Sequence, residues 1–262
     1  MSLTGKTLKG SYKDILQMDN SNSGVDTTTR VIKDGEGTSS ALRLSDDEVL
    51  IQPQNDDTSA AFSVLKQGST ELFKVDGANS KVLALENYVN TQYAHFGIAN
   101  DVSDAWLADN HHPIPFGTTM GAVANDQTTF GTSTDPATSF TTANSNDERA
   151  SDIIRYCWYV FDAINIDGVV ALEGADAATG DTTRMHLMSY DITSGSTSCL
   201  TNGTLLAHNS DVTNAGSEQA YKTSFTVDSA TVAAGKVILA FFRSDSVNSD
   251  YSLNITVKYH LT

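Results

Sequence analysis

Residues 253–261 read Leu-Asn-Ile-Thr-Val-Lys-Tyr-His-Leu, and this stretch decides the fold class. Its odd-numbered positions are apolar and its even-numbered positions are polar. Successive side chains of a β-strand point to opposite faces, so this period of two predicts an antiparallel strand with one buried and one solvated face.

Short apolar runs bounded by Gly, Asp, Asn or Ser predict further strands upstream, at 169–172, 185–190, 225–227 and 237–242. The run 153–161 is apolar at both parities apart from Arg155, which predicts a central or interface strand. Regularly spaced strands without intervening helices are typical of a sandwich. We therefore predict an all-β fold with an antiparallel, jelly-roll-like β-sandwich head over residues 95–262.

Residues 41–80 carry shorter apolar pieces between turns. Phe62-x-Val64 and Phe73-x-Val75 recur 11 residues apart. Each piece is too short to bury its apolar face within one chain, so stacking or wrapping by neighbouring chains is expected. The alternative is a set of ordinary hairpins in a small domain. The predicted intertwined β stem has these packing residues: Leu42, Leu44, Phe62, Val64, Phe73 and Val75.

Residues 81–94 separate this stem from the head. Val82, Leu85 and Val89 follow one another at spacings of three and four residues, which predicts a short helix. A short helical neck in which the three residues pack between copies is one interpretation, and a single connector helix is equally compatible.

Residues 1–40 are polar, and their one apolar cluster is too small to form a core. The cluster belongs either to an arm that packs on a partner or to a strand completed by other chains. We predict an N-terminal anchoring arm with these contact residues: Lys6, Lys9, Tyr12, Lys13, Ile15 and Leu16.

The composition excludes several classes of function. The chain has 32 acidic and 16 basic residues, a formal charge of −16, which disfavours binding to nucleic acid or to anionic membranes. No apolar run approaches the roughly 20 residues of a membrane helix, and the first ten residues lack the apolar region of a secretory signal. Synthesis in the cytosol is therefore expected, with Cys157 and Cys199 as free thiols.

No catalytic or metal-binding pattern is present in the sequence. Gly-x-Ser-x-Gly, a phosphate loop, a dinucleotide fingerprint and Cys-x-x-Cys are all absent. Adjacent His111 and His112 would point to opposite faces of a strand, and the acidic clusters at 46–48 and 55–57 do not match an EF-hand. We predict a non-enzymatic protein without cofactor or metal.

A carbohydrate site is the ligand-binding hypothesis that the sequence supports. Aromatic rings offer stacking surfaces and Asp offers hydrogen bonds, although packing is the commoner role of such aromatics. The candidate residues are Trp106, Asp109, Tyr221 and Tyr251.

Residues 8–17, 19–24 and 37–44 resemble the N-terminal parts of fibre and appendage proteins of tailed bacteriophages of marine bacteria. FKVDGANSKV at 73–82 is similar to their stem repeats, and GKVILAFFRSDSVNSDYSLNITVKYHL at 235–261 is similar to a virion jelly-roll head. The resemblance implies a homotrimer, anchored by its N-terminus to other virion proteins of the portal, tail or capsid. It also implies a distal domain facing the host.

Together these observations predict a homotrimeric fibre or spike, made in the host cytoplasm and exposed on the virion surface. Host attachment, through a cell-surface glycan or protein, is the expected role of the head. One alternative is a carbohydrate- or calcium-binding lectin-like module. A remote alternative is a polysaccharide depolymerase, which would need two carboxylates facing one cleft.

Overall fold

A computed structural model of the chain describes residues 14–18, 20–21, 23–99, 107–120, 128–142, 149–246 and 250–262. Within these residues the protein is almost entirely β-sheet. The helices among them are one four-residue α-helix, α1 (Ala150–Ile153), and one 3-10 helix (Ile154–Tyr156). The prediction of an all-β fold is confirmed.

The chain forms two compact units, residues 1–89 and 90–262, which we call the front unit and the head unit. The strands of the front unit are β1 (Gln17–Met18), β2 (Arg30–Lys33), β3 (Ser39–Leu44), β4 (Val49–Ile51), β5 (Phe62–Leu65), β6 (Glu71–Asp76), β7 (Lys81–Ala84) and β8 (Asn87–Tyr88).

The front unit consists of two four-stranded antiparallel sheets, ordered β1-β2-β3-β4 and β5-β6-β7-β8. Each sheet is a series of hairpins, so every strand pairs with its neighbour in sequence. The Asp34 carboxylate shapes the turn between β2 and β3, because it accepts hydrogen bonds from the backbone N–H groups of Glu36 at 2.9 Å and Thr38 at 2.8 Å. Local turns therefore set the register in this unit.

The predicted helical neck at 81–94 is wrong. Residues 81–84 and 87–88 form β7 and β8, and β9 starts at Thr91. Leu85 and Glu86 connect β7 to β8 with φ angles of 48° and 67°, a two-residue turn that a right-handed helix does not permit. Val82 pairs across the sheet with Val75, Leu85 is exposed in the turn, and Val89 is exposed after β8, so they share no helix face.

The strands of the head unit are β9 (Thr91–Ala99), β10 (His112–Ile114), β11 (Gly117–Met120), β12 (Trp158–Tyr159), β13 (Ile164–Asp176), β14 (Thr182–Ile192), β15 (Leu200–His208), β16 (Val212–Thr213), β17 (Gln219–Ser224), β18 (Thr226–Val227), β19 (Thr231–Val232), β20 (Lys236–Ser244) and β21 (Asp250–Leu261). A seven-stranded sheet has the order β10-β20-β14-β15-β18, with β12 on β20 and β16 on β14. A six-stranded sheet has the order β11-β9-β21-β13-β17, with β19 on β13.

The strand predicted from residues 253–261 is confirmed as β21. It lies inside the six-stranded sheet, paired antiparallel with β13 on one side and with β9 on the other. Its alternate residues Leu253, Ile255 and Val257 are buried, as the period of two requires. One pairing of the head unit departs from the predicted antiparallel arrangement, because β11 runs parallel to β9.

Strand β20 is buried on both faces because alternate residues belong to two different cores. Ile238, Ala240 and Phe242 join the main core, to which strands of both sheets contribute. Val237, Leu239 and Phe241 join a second core on the other face of the seven-stranded sheet, covered by Phe130, Phe140 and Tyr156.

The predicted strand at 153–161 is wrong for its first four residues, which are helical. Ile153 and Tyr156, three residues apart, both lie in the second core, and the spacing of three is that of a 3-10 turn. Only Trp158 and Tyr159 of this run form a strand, β12, at the edge of the sheet beside β20.

Candidate functional site

One face of the sheet β5–β8 is lined by apolar side chains. Residues that pair directly across antiparallel strands project to the same face. Two such rows cross β5, β6 and β7: Phe62–Val75–Val82 and Val64–Phe73–Ala84. We call these six residues the apolar stem face. It brings together Phe62, Val64, Phe73 and Val75, four of the predicted stem residues.

The apolar stem face is only partly covered within a single chain. Phe62 is 41% exposed and Val64 is 44% exposed, although the Phe62 ring contacts the Phe73 ring edge to face at 6.2 Å. Among the described residues of the front unit, Ile32 is the one buried hydrophobic side chain. The face therefore retains apolar area that a partner surface could remove from water.

The opposite face of the same sheet is more polar. Its central row is Ser63–Lys74–Leu83, and the Lys74 ammonium lies 2.9 Å from the Glu71 carboxylate. That contact raises the pKa of Lys74 above its ordinary value. Lys81 projects to this side as well and lies over the Tyr88 ring at 5.8 Å. The sheet thus has one face of six apolar side chains and an opposite face on which charged and apolar side chains are mixed, including Leu72 at 39% exposure.

The sheet β1–β4 places the other two predicted stem residues next to exposed hydrophobic ones. Leu42 pairs with Ile51, and Leu44 pairs with Val49, which is 71% exposed. Arg30 flanks Leu44 from β2 and binds the Asp26 carboxylate at 2.8 Å. This face is smaller and more mixed than the apolar stem face.

Most of the predicted anchoring residues lie outside the described residues, namely Lys6, Lys9, Tyr12 and Lys13. Ile15 and Leu16 are described, and both are exposed immediately before β1.

The predicted ligand-binding residues have different surroundings. Trp106 lies outside the described residues. Asp109 forms an ion pair with Arg243 at 2.7 Å, and the Tyr221 hydroxyl accepts a hydrogen bond from the backbone N–H of Ala215 at 3.0 Å. Tyr251 is buried, and its hydroxyl lies 3.1 Å from the Ser244 hydroxyl. Tyr251 therefore packs in the core of the head unit.

Sequence reasoning missed a pocket lined by aromatic side chains at the edge of the head unit. It has a volume of about 180 Å³, and we call it the aromatic pocket. Its principal residues are Gln92, Trp158, Tyr159, Phe161, Asp162 and Tyr259.

The aromatic pocket has a wall of packed, hydrogen-bonded side chains and a solvent-exposed rim. The Trp158 and Tyr259 rings pack at 4.9 Å between centroids, and the Tyr259 hydroxyl donates a hydrogen bond to the Gln92 side chain at 2.9 Å. Phe161 on the rim is 82% exposed, and Tyr159 is also exposed. The sequence signal is the aromatic run Trp-Tyr-Val-Phe at 158–161, which falls within the predicted central or interface strand.

Two buried histidines lie against the second core. The His111 and His186 rings pack at 4.8 Å, and His111 Nε2 lies 2.8 Å from the Ser133 carbonyl oxygen. Asp135 is 3.5 Å from His186 Nε2. Burial lowers the pKa of His186 to about 3 and lowers the pKa of His111 below its ordinary value. Both side chains are therefore neutral near pH 7.

A buried carboxyl group also lies in the head unit. Glu173 on β13 accepts a hydrogen bond from the Thr183 hydroxyl at 2.9 Å. Burial raises the pKa of Glu173 above its ordinary value, and the hydrogen bonds from Thr183 and Asn214 oppose that rise.

Chemistry based on metals or thiols finds no support in the described parts of the chain. No group of three or more His, Cys, Asp or Glu side chains there is placed to hold a metal ion. Cys157 and Cys199 are half-buried free thiols, and burial raises the pKa of Cys157 to about 12, which suppresses the reactive thiolate.

The helices in the described ranges are all too short or too polar to cross a membrane.

Comparison with known proteins gives little guidance. No protein-family model matches the chain, and no curated protein matches it. One solved structure, an aminopeptidase from the marine sediment archaeon Thaumarchaeota archaeon, is similar over 72% of this chain and 40% of that chain, with 8% identity and a TM-score of 0.33. This chain therefore spans well under half of that protein, and so low a TM-score carries no argument about fold or function.

Proposed function

We propose that this chain is a structural virion protein, one subunit of a homotrimeric fibre or spike of a tailed bacteriophage. In this proposal residues 1–40 anchor the subunit to other virion proteins, and the front unit forms a stem shared by three copies. The head unit is a jelly-roll-like sandwich on the particle surface that serves attachment to the host.

The observation that carries the proposal is the apolar stem face. Full burial of a Val or Phe side chain stabilises by about 1.5–3 kcal/mol, and this face offers several such side chains while the front unit buries little internally. Identical copies that pack these faces together would create the core that the single chain lacks. Four of the six stem residues named from the sequence belong to this face, namely Phe62, Val64, Phe73 and Val75.

The distribution of charge also favours contact at this face. Each copy carries a formal charge of −16, so association at an arbitrary surface meets repulsion. The six residues of the apolar stem face are all uncharged. Copies that associate through this face would form hydrophobic contacts without bringing charged side chains of the face together.

The head unit supports the proposed jelly-roll arrangement through its connections. The chain passes from one sheet to the other between β9 and β10, between β13 and β14, and between β20 and β21. Repeated crossing between two facing sheets is the connectivity of a jelly roll.

The proposal is tested by the mass of the full-length protein in solution. Size-exclusion chromatography with multi-angle light scattering should give three times the chain mass of 28.0 kDa. Val64→Asp, which places a charge in the apolar stem face, should shift the protein towards monomer. Ser63→Asp adds the same charge one residue away on the polar face and should leave the trimer intact.

A stable, well-folded monomer of the unmodified chain at micromolar concentration would overturn the trimer proposal. The virion assignment has a separate test, which is labelling of intact phage particles with antibodies against the head unit and imaging by electron microscopy. Absence of label from every particle surface would overturn it.

A further inference from the structure

The aromatic pocket combines two features that rarely coincide on a solvated surface. It is concave, and it exposes large aromatic rings: Phe161 is 82% exposed, and Tyr159 beside it is also exposed. Exposed apolar side chains that adjoin one another in a concave lining, unlike single scattered ones, mark a candidate ligand-binding site.

The pocket also holds polar groups next to its rings. Asp162 offers carboxylate oxygens, and the Gln92 side chain and the Tyr259 hydroxyl lie 2.9 Å apart on the wall. A small number of polar groups among aromatic side chains fixes the orientation of a small ligand. The ligand that matches this lining has an apolar face and a polar edge.

A pyranose ring has that character, because its C–H groups form an apolar face while its hydroxyl groups project around the edge. The C–H face can pack on the electron-rich face of an aromatic ring. The hydroxyl groups can donate to a carboxylate and exchange hydrogen bonds with an amide. A volume of about 180 Å³ accommodates one ring rather than a long oligosaccharide.

The charge of the site selects among sugars. Among the described residues that line the pocket, Asp162 is the one that is charged, and the whole chain carries a formal charge of −16. An acidic sugar would therefore meet repulsion both in the pocket and on its approach. A neutral sugar would not.

We propose that the aromatic pocket binds one neutral pyranose unit of a glycan, held by stacking on Phe161 or Tyr159 and by hydrogen bonds to Asp162 and Gln92. This inference rests on the attachment role proposed for the head unit, and it supplies a ligand class for that role. A second copy of the chain is a weaker candidate for the occupant, because it would bring another Asp162 and another −16 charge to the contact.

The test is a fluorescence titration of the full-length protein. Trp106→Phe leaves Trp158, in the pocket wall, as the remaining tryptophan of the two in the chain. Glucose, galactose, mannose and N-acetylglucosamine serve as neutral probes, and glucuronic acid serves as the acidic probe. At least one neutral sugar should give a saturable change with a Kd of about 1 mM, which is typical of a weak single-site contact. Glucuronic acid should give none.

Variants locate the binding. Phe161→Ala should weaken the responding sugar at least about tenfold, equivalent to about 1.4 kcal/mol. Leu172→Ala is the matched control, since Leu172 is an exposed apolar residue on β13 outside the pocket lining, and it should leave the Kd unchanged. Light scattering of each variant reports the oligomeric state separately.

Three results would overturn the inference. The first is no saturable response to any neutral sugar, and the second is equal weakening by Phe161→Ala and Leu172→Ala. The third is loss of the trimer in Phe161→Ala without any sugar binding by the unmodified chain, which would assign the pocket to contact between copies. A monomeric protein that still binds sugar through Phe161 would refute the trimer and leave the pocket assignment standing.

Discussion

Both units of this chain are built from antiparallel strands, but the head unit buries many hydrophobic side chains and the front unit buries few. The strands of the front unit have two to six residues, whereas β13, β14 and β21 of the head unit have 13, 11 and 12. Long strands hold enough side chains in register to close two cores. Short hairpins leave a face open. The comparison teaches that the head unit encloses its own cores, whereas in the proposed trimer the front unit would depend on neighbouring copies.

The largest expected effect tests the core of the head unit. Phe241→Ala removes a fully buried ring from the second core and should lower the free energy of unfolding by about 3–5 kcal/mol. Urea unfolding followed by near-ultraviolet circular dichroism measures this change. The loss should not depend on protein concentration, because the contacts of Phe241 lie within one chain. If the loss of unfolding free energy depended strongly on protein concentration, the head unit would also rely on contacts between copies, and the contrast between the two units would be wrong.

The next effect is a dependence of the head unit on pH. The pKa of His186 is about 3 in the folded chain, compared with 6.5 for a free side chain. Below pH 6.5 the His186 side chain is therefore protonated in the unfolded chain but stays neutral in the folded chain. Stability should therefore fall as the pH drops, by about 2 kcal/mol between pH 6.5 and about pH 5. The charged and titratable groups around His186 are His111, His208, Asp135, Arg184 and Arg243.

Unfolding free energies measured across this pH range provide the test. His186→Phe should flatten the slope, and His95→Gln, which changes an exposed histidine on β9, should leave it in place. An unchanged slope in His186→Phe would show that another group in the head unit responds to acid.

A smaller effect of opposite sign is expected at Glu173. Burial raises its pKa, so the folded chain holds a proton that the unfolded chain releases, and stability is lost as the pH rises above 4.5 through the raised pKa. Glu173→Gln keeps an acceptor for the Thr183 hydroxyl and removes the buried charge. It should raise stability at pH 7 and have little effect at pH 4. Melting temperatures at the two pH values give the comparison.

The smallest expected effect is a change in stability at the exposed face of the sheet β1–β4 in the front unit. Val49→Ser replaces a side chain that is 71% exposed on β4 and should change stability by less than about 0.5 kcal/mol. Thermal unfolding at several protein concentrations is the measurement. A loss that grows on dilution would extend the proposed contact between copies to the sheet β1–β4.

The strands could be predicted because apolar and polar residues alternate in a strand that has one face exposed to solvent, as in residues 253–261. The same parity, extended back by two residues, places Tyr251 on the buried side with Leu253, so its place in the core was readable before it was proposed as a ligand contact. The prediction of a helical neck was wrong because Val82, Leu85 and Val89 have the spacing of a helix, although Val82 lies in a strand and Leu85 and Val89 lie in turns. The pairing of Val82 with Val75 and the positive φ of Leu85 are not visible in that spacing.

The aromatic pocket could not be assembled from the sequence. Gln92, Trp158 and Tyr259 come from three distant parts of the chain. The pairing of β9 with β21 brings Gln92 opposite Tyr259, and the pairing of β12 with β20 fixes Trp158 beside Ile238. Such long-range registers depend on the whole sheet, whereas the stem rows depend on adjacent hairpins and could be anticipated from local repeats.

The position of β21 between β9 and β13 has a consequence for biosynthesis. As the ribosome extends the polypeptide, β9 and β13 emerge long before the strand that joins them. Until residues 250–261 leave the exit tunnel, both strands present open hydrogen-bonding edges that neighbouring nascent chains can occupy. The head unit can close its six-stranded sheet only after translation has passed Leu261, because β21 is the partner of both strands.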